Sequence, residues 1–123
     1  MIAVCAKSQG LDALVEERFG RAQYFVLFNE DNSEVAFIDN AAKHESGGAG
    51  GMAVRLLHDA QVDVVLVPEL GPKAMDAIKA FEIKVYRYVD KKTVKETIED
   101  YQNGLLKRLD DSTATSKSGL RRV

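Results

Sequence analysis

A single cysteine, Cys5, excludes an internal disulfide and so the disulfide-stapled folds of small secreted proteins. It equally excludes an iron–sulfur cluster held by four cysteines of one chain. The two histidines, His44 and His58, stand alone, with no zinc-ligand spacing around them. No apolar run approaches the roughly 20 residues that span a bilayer, and the start, MIAVCAKS, lacks the basic opening and length of a signal peptide. These absences lead to the expectation of a cytoplasmic protein. A net charge of −2 shows no overall attraction to nucleic acid or to an anionic membrane. Carboxylates clustered to hold two metals are missing from the first strand, Ile2-Ala3-Val4-Cys5-Ala6, which argues against a two-metal nuclease. The GxGxxG and GxxxxGK[ST] nucleotide patterns are absent, and no nucleophile–base pair stands out, since Ser46 beside His44 is a neighbour in sequence only. An enzyme is therefore not expected.

What is present is the material of one domain. At 123 residues with 46% hydrophobic content, the chain can bury a proper core. Ile2–Ala6 is a continuous apolar run, as in a strand covered on both faces. Lys7 to Gly20 has no clear period and reads as a long, partly structured loop. Tyr24–Phe28 and Glu34–Asp39, joined by the turn-rich Asn29–Ser33, read as an antiparallel hairpin. Met52, Leu56, Leu57 and Ala60 repeat at helical spacing, and Val62–Val67 is a central strand. Pro72 suits the first position of a second helix, with Ala74, Met75, Ile78 and Phe81 on its apolar face. Ile83–Tyr88 mixes charge with apolar residues, as an edge strand does. Thr93 with Glu96 forms a capping box for a third helix that Gly104 stops. From about Asp110 the pattern ends, and 110–123 is expected to be a disordered polar tail outside the domain at 1–109.

This order predicts an α/β fold with helices on both faces of a five-stranded mixed sheet, order 3-2-1-4-5, in which only strand 2 is antiparallel. The connections reverse direction between strands 1 and 4, and such a switch point is where open α/β sheets bind ligands. Cys5–Gly10, Arg18–Arg21, His44–Gly51 and Glu69–Pro72 should converge there.

Two of those stretches carry chemistry. Four of the nine glycines, Gly47, Gly48, Gly50 and Gly51, lie between a strand and a helix. They serve either as a flexible connection or to let a ligand reach bare N–H groups at a helix N-terminus. Arg18-Phe19-Gly20-Arg21 sets two guanidinium groups around a glycine, suited to an oxyanion or simply to solvent and nearby carboxylates. Gly71-Pro72 is a helix start that can also meet an anion. Cys5 and His44 are the candidate metal ligands.

Taken together, Ile2-Ala3-Val4, Gly10-Leu11-Asp12, Arg18-Phe19-Gly20-Arg21-Ala22, Gly48-Ala49-Gly50, Val62-Asp63-Val64-Val65, Gly71-Pro72-Lys73-Ala74 and Ile83-Lys84-Val85-Tyr86 occur in an order that resembles the dinitrogenase iron–molybdenum cofactor biosynthesis family, of the NifX, NifY and NifB C-terminal type. The resemblance spans roughly 1–109. It implies a three-layer α/β/α fold with a ribonuclease H-like motif, and a non-enzymatic carrier or accessory protein binding an anionic iron–sulfur or iron–molybdenum cofactor precursor. By position it assigns the binding edge to Arg18, Gly20, Arg21, the glycine loop and Gly71, with a cluster donor or acceptor protein as partner. A small-anion or metabolite-binding module at the same edge and a ligand-free interaction domain are the alternatives.

Overall fold

The computed structural model describes residues 1–113. Its sheet is built around β1 (Ile2–Ala6), whose five residues are all buried. Alternation divides them between two cores. Ala3 and Cys5 join the layer formed with α1 (Ala49–Asp59) and α2 (Pro72–Ala80), where Val54, Leu57, Met75 and Ile78 are buried. Ile2, Val4 and Ala6 join the opposite layer, with Val94 and Ile98 of α3 (Val94–Gln102). Helices therefore cover both faces, and each fully buried Leu or Ile contributes roughly 1.5–3 kcal/mol.

β2 (Tyr24–Phe28) and β3 (Val35–Asp39) form the expected hairpin, paired from Tyr24↔Asp39 to Phe28↔Val35. β2 lies antiparallel to β1, while β4 (Val64–Val67) runs parallel to it and β5 (Lys84–Arg87) parallel to β4. The capping box at Thr93 is formed, and Gly104 turns the chain with φ 73°.

Among the described residues the sheet has six strands, not five, in the order β3-β2-β1-β4-β5-β6. After Gly104 the chain doubles back, and β6 (Lys107–Arg108) pairs antiparallel with β5 through Tyr86↔Arg108 and Arg87↔Lys107. Two exposed basic residues carry no apolar alternation and left no pattern to read; the strand is held by its backbone pairing, with Leu106 and Leu109 on either side packed against the two cores. β5 is consequently not the sheet edge. The stretch from Lys7 to Gly20 is also more ordered than a loop: Val15 bridges Ala6, Leu14 bridges Thr93, and the Glu16 N–H donates to the Cys5 carbonyl at 2.9 Å.

Beyond β6 the chain returns toward the start of α2. The Thr113 N–H donates to the Leu70 carbonyl at 2.7 Å, and the Leu70 N–H donates to Thr113 Oγ1 at 2.9 Å. Of the tail expected at 110–123, residues 110–113 are thus placed, and the expectation for 114–123 lies outside the described residues.

Candidate functional site

The C-terminal ends of β1, β3 and β4 meet at one edge of the sheet, and α1 and α2 both begin there. Between these two helix starts is a cavity of about 510 Å³. Its walls come from Phe19-Gly20-Arg21, from Gly48 to Gly51, and from Glu69 and Gly71 to Ala74.

Each wall is positioned by a specific contact. Gly48 caps α1 in the left-handed conformation, φ 75°, which glycine adopts without strain. Gly71 caps α2, with Pro72 as the first helical residue. Neither cap has a side-chain hydrogen bond, and neither helix has an acidic residue in its first turn. Both helix starts, whose first-turn N–H groups lack intrahelical partners and which carry the positive ends of the helix dipoles, therefore line one space. The two helices come close because Gly50 lies against Ala74: a Cβ at Gly50 would stand 3.0 Å from the Ala74 Cβ. The RFGR turn is fastened from below, where the Phe19 N–H donates to Glu69 Oε2 at 3.0 Å while the Phe19 ring packs on Phe25. It is fastened from the side by Arg21, whose Nη1 donates to the carbonyls of Lys43, at 2.8 Å, and Glu45.

The expected site residues thus separate into groups. Gly20, Arg21, Gly48, Gly50, Gly51 and Gly71 line the cavity. Gly47 is exposed in the preceding loop, and Arg18 and His44 are exposed outside the cavity walls. Cys5 is fully buried beneath the edge, its thiol 3.6 Å from the Leu66 carbonyl. Burial pushes that thiol well above its ordinary value of 9.0, so the thiolate that a metal requires is disfavoured. Cys5, expected as a metal ligand, thus lies in the core, and Cys5–Gly10 supplies no wall of this cavity. Among the described residues no three His, Cys, Asp or Glu side chains are grouped to hold a metal ion.

The family model described as dinitrogenase iron-molybdenum cofactor matches residues 1–104. The chain belongs to this family. Among solved structures, the apo form of the orange protein from Desulfovibrio gigas is 34% identical with a TM-score of 0.88, over 92% of this chain and 95% of that one. A candidate NifB protein from Thermotoga is 28% identical with a TM-score of 0.80, over 92% and 96% of the two chains. An uncharacterized protein of Methanocaldococcus jannaschii is 27% identical over 95 residues, 75% of this chain and 80% of that protein.

Two lining residues of this family member were not singled out from sequence. Lys73, the second residue of α2, adds a positive side chain to the rim, and Glu69 is the one carboxylate of the wall. Single charges in a chain with 29% charged residues carry no pattern. The available signal was position, since both flank the Leu70-Gly71-Pro72 helix start. No helix among the described residues is long and apolar enough to cross a membrane.

Proposed function

We propose that the protein is a non-enzymatic accessory or carrier protein that holds an anionic iron–sulfur or iron–molybdenum cofactor precursor in the cavity between the starts of α1 and α2. One observation carries this reading: two helix N-termini without side-chain caps, joined by Arg21 and Lys73, open onto one cavity of about 510 Å³. A metal–sulfur cluster brings its own sulfides and net negative charge. Sulfides accept hydrogen bonds, and N–H groups at helix starts supply them with little reorganisation. The family description and the NifB-type relative support the same ligand class.

Purification without oxygen, followed by iron, molybdenum and acid-labile sulfide analysis, tests the proposal. Co-purifying sulfide in ratio to metal, with sulfide-to-metal charge-transfer absorption, is the expected result. Protein that emerges colourless and stays so after anaerobic incubation with iron and sulfide would leave the small-anion or partner-docking reading in its place.

A further inference from the structure

Asparagine is mostly an exposed residue, yet Asn40, which directly follows β3, is fully buried. Both protons of its side-chain amide and its oxygen are engaged. Nδ2 donates to the Gly20 carbonyl at 3.0 Å and to the Ala22 carbonyl at 2.9 Å, so one amide holds the carbonyls on both sides of Arg21. Oδ1 accepts from the Ala42 N–H at 3.2 Å and caps the single 3-10 turn Ala41–His44. That turn leads into the glycine loop, and Arg21 returns to its far end, where Nη1 donates to the carbonyls of Lys43 and Glu45. The RFGR turn is therefore clamped to the start of the glycine loop twice, once by Asn40 and once by Arg21. Gly20 lies in turn on the Gly50 backbone of α1. The clamp thus acts on two walls of the cavity, although Asn40 is not among its lining residues.

We propose that Asn40 is a positioning residue for the cavity: its amide keeps the RFGR turn docked on the glycine loop and α1 in the ligand-free protein, so that the cavity is preformed. Capping alone does not need asparagine here, since aspartate and serine cap as well. Holding the Gly20 and Ala22 carbonyls does, because it takes two donors on one short planar group. Loss of both bonds leaves two carbonyls without these donors and corresponds to roughly 10- to 100-fold in the docking equilibrium. A preformed cavity spares its ligand the cost of ordering the turn. The identity of that ligand rests on the proposed function, whereas the docking belongs to the ligand-free chain.

The experiment is magnetic resonance on the isotope-labelled full chain without ligand, comparing wild type with Asn40→Asp and Asn40→Ser. Both variants keep a capping oxygen and lose the two donations; aspartate keeps the shape, and serine avoids a buried charge. In wild type one Gly20 Hα and the Gly50 N–H should give a strong nuclear Overhauser contact, because Gly20 lies on the Gly50 backbone. In both variants this contact is expected to weaken severalfold, with shifted Ala49 and Gly50 amide resonances, while the contacts between β1 and β4 persist. Asn40 bonds to neither Ala49 nor Gly50, so a role confined to capping would leave their resonances unmoved. A Gly20–Gly50 contact of wild-type strength in both variants, or its absence from wild type, overturns the proposal. Loss of the β1–β4 contacts in both variants overturns it as well, since Asn40 would then hold the fold as a whole rather than the turn. None of these results depends on a cluster or an anion, so the outcome is separate from the metal and sulfide analysis that decides the carrier reading.

Discussion

Gly20 lies directly on the backbone of Gly50, so that a Cβ at Gly20 would stand 2.8 Å from the Gly50 nitrogen and 3.1 Å from its Cα. Backbone cannot swing aside as a side-chain tip can. This contact is what seats the RFGR turn on the first turn of α1, and it makes Gly20 a packing residue as much as a ligand-facing one. Gly20→Ala should therefore destabilise the fold by roughly 1–3 kcal/mol, in the range of other overpacking substitutions. Gly50→Ala meets the Ala74 Cβ at 3.0 Å and should push α1 from α2. Urea unfolding monitored by circular dichroism measures both, and an unchanged midpoint for Gly20→Ala would show that the turn is not seated as described.

Arg21 combines two roles that a substitution series can separate. Its Nη1 holds the carbonyls of Lys43 and Glu45, while Arg21 also lines the cavity. Arg21→Ala should cost about 1 kcal/mol per lost hydrogen bond and weaken molybdate binding. Arg21→Lys keeps the charge but cannot reproduce a planar fork of donors. It should recover the binding only in part and the stability hardly at all, as judged by melting temperature and titration. His44→Ala should leave both nearly unchanged, because His44 is exposed outside the cavity.

Cys5 gives the fold an alkaline weakness. Its thiol is raised above 9.0 chiefly by burial, and Tyr88, whose hydroxyl donates to the Glu16 carbonyl at 2.7 Å, is raised above 10.0 for the same reason. Both groups keep their protons in the folded state at pH values where the unfolded chain has released them. The folded state then binds more protons than the unfolded one, so stability falls as pH rises. Stability should be level below about pH 8.5 and should decline above it, by up to about 1.4 kcal/mol per pH unit for each group involved. Cys5→Ala should flatten the onset of that decline. Thiol labelling of the native wild type should be slow at pH 8 and fast in denaturant, and rapid native labelling would contradict the burial.

The pairing of Thr113 with Leu70 sets a boundary for truncation. Ending the chain after Thr113 should leave the melting temperature almost unchanged. Ending it after Leu109 removes both the backbone bond at 2.7 Å and the hydroxyl at 2.9 Å. That should lower the melting temperature by several degrees, equivalent to roughly 1–2 kcal/mol. Thermal melts of the two truncations decide it, and equal temperatures would show that Thr113 contributes nothing.

The reach of sequence reading follows from how each feature is encoded. The order 3-2-1-4-5 was legible because three strands without helices precede three helix-separated segments, each with its own apolar run. The caps at Pro72, Thr93 and Gly104 were legible because capping chemistry is local. β6 was not, because two exposed basic residues show no strand pattern and the leucines that anchor them lie outside the strand. The meeting of the RFGR turn, the glycine loop and Gly71 was legible from topology. That Cys5 would point into the core was not, since a strand covered on both faces gives no sign of which side leads to a cavity. Gly50 against Ala74 is likewise a contact between helices, invisible in either segment alone.

The central claim is that an anionic ligand sits between the starts of α1 and α2, and amide-resolved magnetic resonance tests it most directly. Isotope-labelled protein would be titrated under anaerobic conditions with a preassembled iron–sulfur cluster, and in parallel with molybdate. The account predicts that the amides of Ala49, Gly50, Gly51, Lys73 and Ala74 shift or broaden first and most, with those around Cys5 and His44 following weakly. Perturbation centred on His44, on Cys5 or on a surface away from both helix starts would contradict it.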